Sequence, residues 1–153
     1  MPWLLTGALL IVAYLAQLML GWRWEWIAGL QQNELYKQLT GLSLALFFLM
    51  QWRLSVARMA TAAPRARVLV LHRDLGALAP LLLYLHARTI GYAYIQVMSL
   101  AFLGLVALGL LQQPLARINL ARLNSAWLVV HVTLAALLVF LIGYHAFNAF
   151  YYE

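Results

Sequence analysis

Residues Leu71–Arg88 read LHRDLGALAPLLLYLHAR, apolar apart from the two ends and two histidines, His72 and His86, fourteen positions apart. The chain has four histidines, and the other two, His131 and His145, stand at the same interval within WLVVHVTLAALLVFLIGYHAF, Trp127–Phe147. At about 1.5 Å rise and 100° turn per residue, fourteen steps advance roughly 21 Å and return within about 40° of the same helix face. Two helices marked in this way, set face to face, form two histidine pairs, one above the other. Such pairs suit two stacked haems, each iron held by an imidazole on either side.

Of 153 residues, 66% are hydrophobic and 9% charged, too little polar surface for a soluble domain. Apolar runs of about twenty residues recur instead, each enough to cross a hydrocarbon core of about 30 Å. The expected class is an all-α polytopic membrane protein, a single transmembrane domain over residues 1–153. It would sit in the lipid bilayer as a five-helix bundle, with no length left for a soluble catalytic domain. The absence of cysteine excludes disulfides, cysteine-ligated iron–sulfur clusters and thioether-attached haem. Haem would therefore be held without covalent attachment, as two haem b groups. A net charge of +6 raises nucleic acid as a partner, but the basic residues stand beside apolar spans, where they set orientation. No nucleic acid is expected.

Five spans are predicted, at about Trp3–Gly21, Leu39–Val56, Val68–Arg88, Ala93–Leu111 and Trp127–Phe147. The first is long and lacks both a basic n-region and a small-residue cleavage motif, so it reads as a retained helix rather than a signal peptide. Trp22, Trp24 and Trp26 after it suit an interfacial belt, as do Trp52, Trp127, Tyr151 and Tyr152. RMATAAPRAR, Arg58–Arg67, is a basic turn broken by Pro64. Pro80, between the first two histidines, frees a carbonyl and bends span three. Gly91 and Tyr92 make a short turn, and QQPLARINLARLNS, residues 112–125, a polar connector.

With five spans, the loops after the second and fourth share a side and hold Arg53, Arg58, Arg65, Arg67, Arg73, Arg117 and Arg122. Arg23, Lys37 and Arg88 lie opposite. The positive-inside rule then places the N-terminus in the cytoplasm and the C-terminus outside, with a bacterial inner membrane as the expected location. Spans three and five run parallel in this topology. His72 and His131 fall near the cytoplasm, His86 and His145 near the outer face.

A lone histidine in a bundle reads as a hydrogen-bonded packing residue, a pH sensor or a proton relay. Four, in two equal pairs on parallel helices, read as haem ligands. A non-haem metal fits poorly, because ligands about 21 Å apart on each helix cannot share one ion and no intramembrane Asp or Glu completes a shell. Haem propionates want cationic partners. Arg73 beside His72, Arg65 and Arg67 just upstream, and Arg88 two residues past His86 are the candidates. Each is equally readable as a snorkelling or topology residue. Gly76, one turn beyond His72, either admits the porphyrin or packs helices together.

His72-Arg73-Asp74-Leu75-Gly76 through His86, with His131 and His145 on the fifth span, resembles the ferric reductase-like transmembrane domain. That superfamily includes NADPH oxidases, ferric reductases and the haem-binding membrane subunit of the bacterial methionine sulfoxide reductase system. The resemblance covers roughly spans two to five. It implies that helices three and five ligate two b-type haems, His72 and His131 the inner iron, His86 and His145 the outer one. It also implies electrons passing from a cytosolic donor to an acceptor outside. The oxidases and reductases have a sixth helix and a flavin and nicotinamide domain, neither of which is seen in this sequence. Direct NADPH oxidation is therefore not expected, and electrons would come from another protein subunit or from quinol.

The fourteen-residue spacing is also similar to that in cytochrome b of quinol–cytochrome c oxidoreductases, as is the pair Gly7 and Gly21 on span one. There one helix precedes the first histidine helix, whereas here two do. A structural or assembly subunit without a redox role is a third reading. The favoured expectation is an electron-transfer subunit of an oxidoreductase, with no catalytic side chain assigned and with donor and acceptor subunits or quinone as partners.

Overall fold

In the computed structural model, residues 2–22, 24–57, 65–118 and 120–151 are described, apart from the side chains of residues 55–57, 65 and 66. The elements among them are all helical: α1 Pro2–Leu20, α2 Glu25–Leu30, α3 Glu34–Ala57, α4 Arg65–Gly76, α5 Ala79–His86, α6 Ala93–Ile118 and α7 Ala121–Tyr151. Four stretches among the described residues are long and apolar enough to cross a membrane: α1, Arg67–His86 (α4 with α5), α6 and α7. Large apolar side chains along them are exposed, Val129, Val132 and Phe140 of α7 among them, as on surfaces that meet lipid. The predicted spans one, three, four and five coincide with these four stretches. Span two corresponds to α3, of 24 residues, which is not one of the four; Lys37, Gln51 and Arg53 break up its apolar sequence. Arg23, Arg58, Pro64 and Tyr152 lie outside the described residues, as does the side chain of Arg65.

The chain divides into two compact units, Met1–Thr89 and Ile90–Glu153. In the first, α1 begins with Pro2, at a position whose N–H has no helical partner anyway. It ends at Gly21, whose φ of +62° supplies a left-handed residue. The Trp22 N–H donates to the Gln17 carbonyl at 3.2 Å, which completes a Schellman closure. Trp3, Gly7, Tyr14 and Gln17 form the buried stripe of α1. The short helix α2 follows, and α3 starts where the Asn33 carboxamide oxygen accepts the Tyr36 N–H at 3.1 Å, an N-cap.

The bend expected at Pro80 is a full break between α4 and α5, with a turn at Ala77–Leu78. Pro80 has no N–H to offer the Gly76 carbonyl, and the Leu78 N–H reaches back only to Leu75, at 2.9 Å, a tighter 3₁₀-type turn. Contacts fix the helix directions. Trp3 lies under the Arg73 guanidinium, 4.7 Å from its ring centroid, and Tyr14 reaches Ala87, so α1 and α4–α5 run the same way. Gln51 meets His72 and Thr40 meets His86, so α3 runs the opposite way along the same length.

In the second unit α6 and α7 form an antiparallel hairpin. Tyr94 meets Tyr144 and His145 near one end, Gly104 faces Leu134 midway, and Leu108 meets Trp127 toward the other end. The connector expected over residues 112–125 is almost all helix, since α6 runs through Pro114 to Ile118 and α7 starts at Ala121. Its Gln, Leu, Ala and Arg residues are good helix formers, and one proline near a helix end removes a single hydrogen bond. The unbroken α7, of 31 residues, carries His131 and His145 on one rod, about 21 Å apart and close to one face. Gly91 makes the expected turn, with φ +68°, and Ile95 stands 2.5 Å from where its Cβ would be.

Candidate functional site

His86 ends α5, and two consecutive residues of α3 hold its imidazole. Thr40 Oγ1 lies 3.2 Å from Nδ1. The same hydroxyl lies 2.7 Å from the Tyr36 carbonyl, one turn back, and it has a single proton to give. That proton goes to Tyr36, the usual back-bond of a threonine within a helix, so Oγ1 accepts and the ring's Nδ1–H donates. The lone pair of the imidazole is then on Nε2. Gly41 supplies the room: a Cβ there would stand 2.9 Å from His86 Cε1 and 3.4 Å from Nδ1. Around the end of α5 the carbonyls are answered from the side. Gln31 Nε2 donates to Tyr84 at 2.7 Å, and the Tyr14 hydroxyl donates to Ala87 at 3.2 Å, which supplies partners that a helix end otherwise lacks.

His72 is also held by α3, through the buried side chain of Gln51. Oriented to satisfy its neighbours, the carboxamide donates to His72 Nδ1 at 2.7 Å and to the His72 carbonyl at 3.1 Å, and accepts from the Gly76 N–H at 3.2 Å. Those two backbone groups are i and i+4 partners in a helical ladder, so the amide bridges the ladder just before the break. Here Nδ1 accepts, which puts the proton of the neutral ring on Nε2.

In the second unit His131 stacks on Trp127, one turn before it, with ring centroids 5.2 Å apart and planes at 21°. The Trp127 indole N–H donates to the Leu108 carbonyl at 2.7 Å. Next to it, the place of a Gly109 Cβ is 3.8 Å from His131 Cε1. Trp127, expected in an interfacial belt, instead walls one side of a histidine. His145 Nδ1 lies 3.5 Å from the Tyr94 hydroxyl, and Tyr94 packs edge-on to Tyr144 with centroids 4.9 Å apart.

No protein family, curated protein or solved structure matches this chain.

Among the described residues no three His, Asp or Glu side chains come together as a metal-binding group. Axial haem ligation asks instead for one imidazole on each face of the ring. At His86 the Nδ1–H contact is of the kind that fixes the tautomer and plane of a ligating ring, and Nε2 lies 3.6 Å from the place of a Gly41 Cβ. His72, whose Nδ1 accepts, is not in a ligand's tautomer, and turning the Gln51 carboxamide over to take an Nδ1 proton would set its oxygen against the His72 carbonyl and its nitrogen against the Gly76 N–H. Arg73 is engaged, with its guanidinium 2.8 Å from Asp74 and over Trp3, so a propionate there would compete with Asp74. Arg67 is exposed near the start of α4, and Arg88 is half-buried in the bend after α5.

Gly76 is not a packing glycine, since a Cβ there would meet nothing within 4 Å. Gly21 is the helix-ending residue of α1 rather than one facing along a helix. Thr40, Gly41 and Gln51 escape a reading of the sequence, because single small or polar residues in an apolar helix carry no period. Their one signal is spacing: Thr40 and Gln51 are eleven apart, about three turns, and so share a face of α3.

Proposed function

We propose that the chain is a b-type cytochrome of a bacterial cytoplasmic membrane, carrying electrons across the bilayer through two haems as a subunit of a larger redox system. One observation carries the reading: the four histidines form two equal intervals, each within a stretch long and apolar enough to cross a membrane. In this reading α3 is a span as well, the second of five, passing alongside α4–α5, and spans three (α4–α5) and five (α7) run parallel outward from a cytoplasmic N-terminus. His72 and His131 would ligate the inner iron, His86 and His145 the outer one. The resemblance to the ferric reductase-like domain adds the class of partner, a donor inside and an acceptor outside, with quinone as the alternative donor.

Haem, when bound, would supply one-electron chemistry suited to electron transfer, with His72, His86, His131 and His145 as the residues that would hold it. The chain's own residues do the rest. Thr40 fixes the His86 ring, Gly41 admits it, Gln51 holds His72, and Trp127 walls His131. The apolar helices exclude water, and that burial is one of the levers on haem potential.

A pyridine haemochrome assay against protein concentration is expected to give about two haems per chain. His72→Ala and His131→Ala are expected to lose one haem, and His86→Ala and His145→Ala the other, read as two classes of surviving midpoint in redox titrations. One haem per chain would mean that one histidine pair does not ligate. A colourless protein would end the cytochrome reading in favour of a structural subunit.

A further inference from the structure

We propose that Thr40 and Gly41 of α3 are the positioning residues of His86, setting the tautomer and the angle at which its Nε2 is presented. The inference rests on the cytochrome reading for its purpose and on contacts within the first unit for its geometry. Two contacts converge on one ring, and a third sets the sense of the first. The Thr40 hydroxyl spends its proton on the Tyr36 carbonyl at 2.7 Å and faces His86 Nδ1 with a lone pair at 3.2 Å. The missing side chain of Gly41 lets the ring edge come to where a Cβ would be 2.9 Å away. The ring is thus held by hydrogen bond and by shape from two adjacent residues of one helix.

The consequences are specific to a ligand. An Nδ1–H that donates to an acceptor gives the imidazole slightly more anionic character, raises its basicity toward a metal and fixes its plane. A stronger donor favours ferric over ferrous iron, so removal of the acceptor raises the midpoint. Thr40→Val keeps the shape and removes the acceptor; Thr40→Ser restores it. Gly41→Ala places a methyl against Cε1, and because the opposing atoms belong to a side chain, the ring turns rather than the helix.

The experiment has two arms on the full-length chain in detergent. In haem-free protein labelled with ¹⁵N-histidine, with His86 assigned through His86→Gln, the wild type and Thr40→Ser are expected to show His86 protonated on Nδ1. Thr40→Val is expected to show a mixture or the Nε2-protonated form. In haem-loaded protein, Thr40→Val is expected to raise one midpoint and leave the other unchanged, with reversal in Thr40→Ser, and Gly41→Ala to shift the low-spin EPR g-values of one haem. A Thr40→Val protein with wild-type tautomer and unmoved midpoints overturns the proposal while leaving the cytochrome reading intact. A protein that takes up no haem sinks the cytochrome reading, and the tautomer of His86 then judges the seat alone.

Discussion

His72 and His86 face the same helix, α3, and are held by it in opposite ways. At His86 the ring gives its Nδ1 proton to the Thr40 hydroxyl; at His72 the ring receives one from the Gln51 carboxamide. Beside Thr40 the helix meets the His86 ring with a glycine, Gly41, whereas opposite His72 it has a buried glutamine. Their levels differ too. Trp3 is level with Arg73 and Tyr14 with Ala87. The eleven steps of α1 between them span about 16 Å, and the six from Tyr14 to Leu20 add about 9 Å more. A crossing taken over the full length of α1 would hold His86 inside and His72 at its rim, whereas one taken over Arg67–His86 ends at His86 itself. The ion pair next to His72, Arg73–Asp74, is 30% and 47% exposed. Equal spacing in the sequence therefore does not make equal sites. The Nδ1 of the one imidazole faces a hydroxyl, and that of the other faces a carboxamide.

The glycines give the strongest way to break this comparison. Gly41→Leu drives a side chain into the His86 ring and is expected to abolish the haem held there, with an overpacking cost of about 1–3 kcal/mol. Gly76→Leu points into open space and is expected to fold as well as the wild type, because glycine within a helix is itself unfavourable by about 0.5–1 kcal/mol. Haem content and unfolding by SDS in mixed micelles measure both. Loss of haem in Gly76→Leu as well, without loss of stability, would sharpen the picture by marking that open space as the porphyrin's.

A middling effect is expected at Gln51. In Gln51→Leu the His72 carbonyl and the Gly76 N–H can rejoin as ordinary helical partners, so the chief loss is the contact to Nδ1, about 1–3 kcal/mol for a buried polar group. Gln51→Glu, ionised, can only accept, so it is expected to move the His72 proton to Nδ1 and bring that ring into the state of the His86 ring. Histidine ¹⁵N shifts read this directly. A His72 already protonated on Nδ1 in the wild type would erase the contrast between the two sites.

Much of the frame was legible in the sequence, and for identifiable reasons. Five apolar spans were expected and four are long apolar helices among the described residues, while Pro80 announced a bend where α4 and α5 in fact separate. The polar stretch around Pro114 misled, because its residues favour helix and the proline stands where the loss of one hydrogen bond is cheap. The histidines were visible as a pattern, but what holds them was not. Thr40, Gly41, Gln51 and Trp127 act across a helix pair, and a contact between helices leaves no mark in the period of either one. Arg73, expected beside a propionate, has Asp74 as its partner at 2.8 Å, a contact between neighbours that the sequence does not show.

The smallest effect tests the depth assignment. An exposed ion pair contributes about 0–1 kcal/mol, and salt screens it, so Asp74→Asn is expected to lower the unfolding midpoint slightly at low salt and not at all at high salt. Tyr14→Phe removes the hydrogen bond to the Ala87 carbonyl beside His86, a loss of about 0.5–1.5 kcal/mol that salt leaves untouched. The two variants thus report on the two ends of α4–α5, one wet and one dry. Suppose instead that Asp74→Asn costs more than Tyr14→Phe and is indifferent to salt. The Arg73–Asp74 pair is then out of reach of water, because only a desolvated pair has both properties. His72 would in that case lie as deep as His86, and the unequal tautomers of the two rings would rest on Thr40 and Gln51 alone.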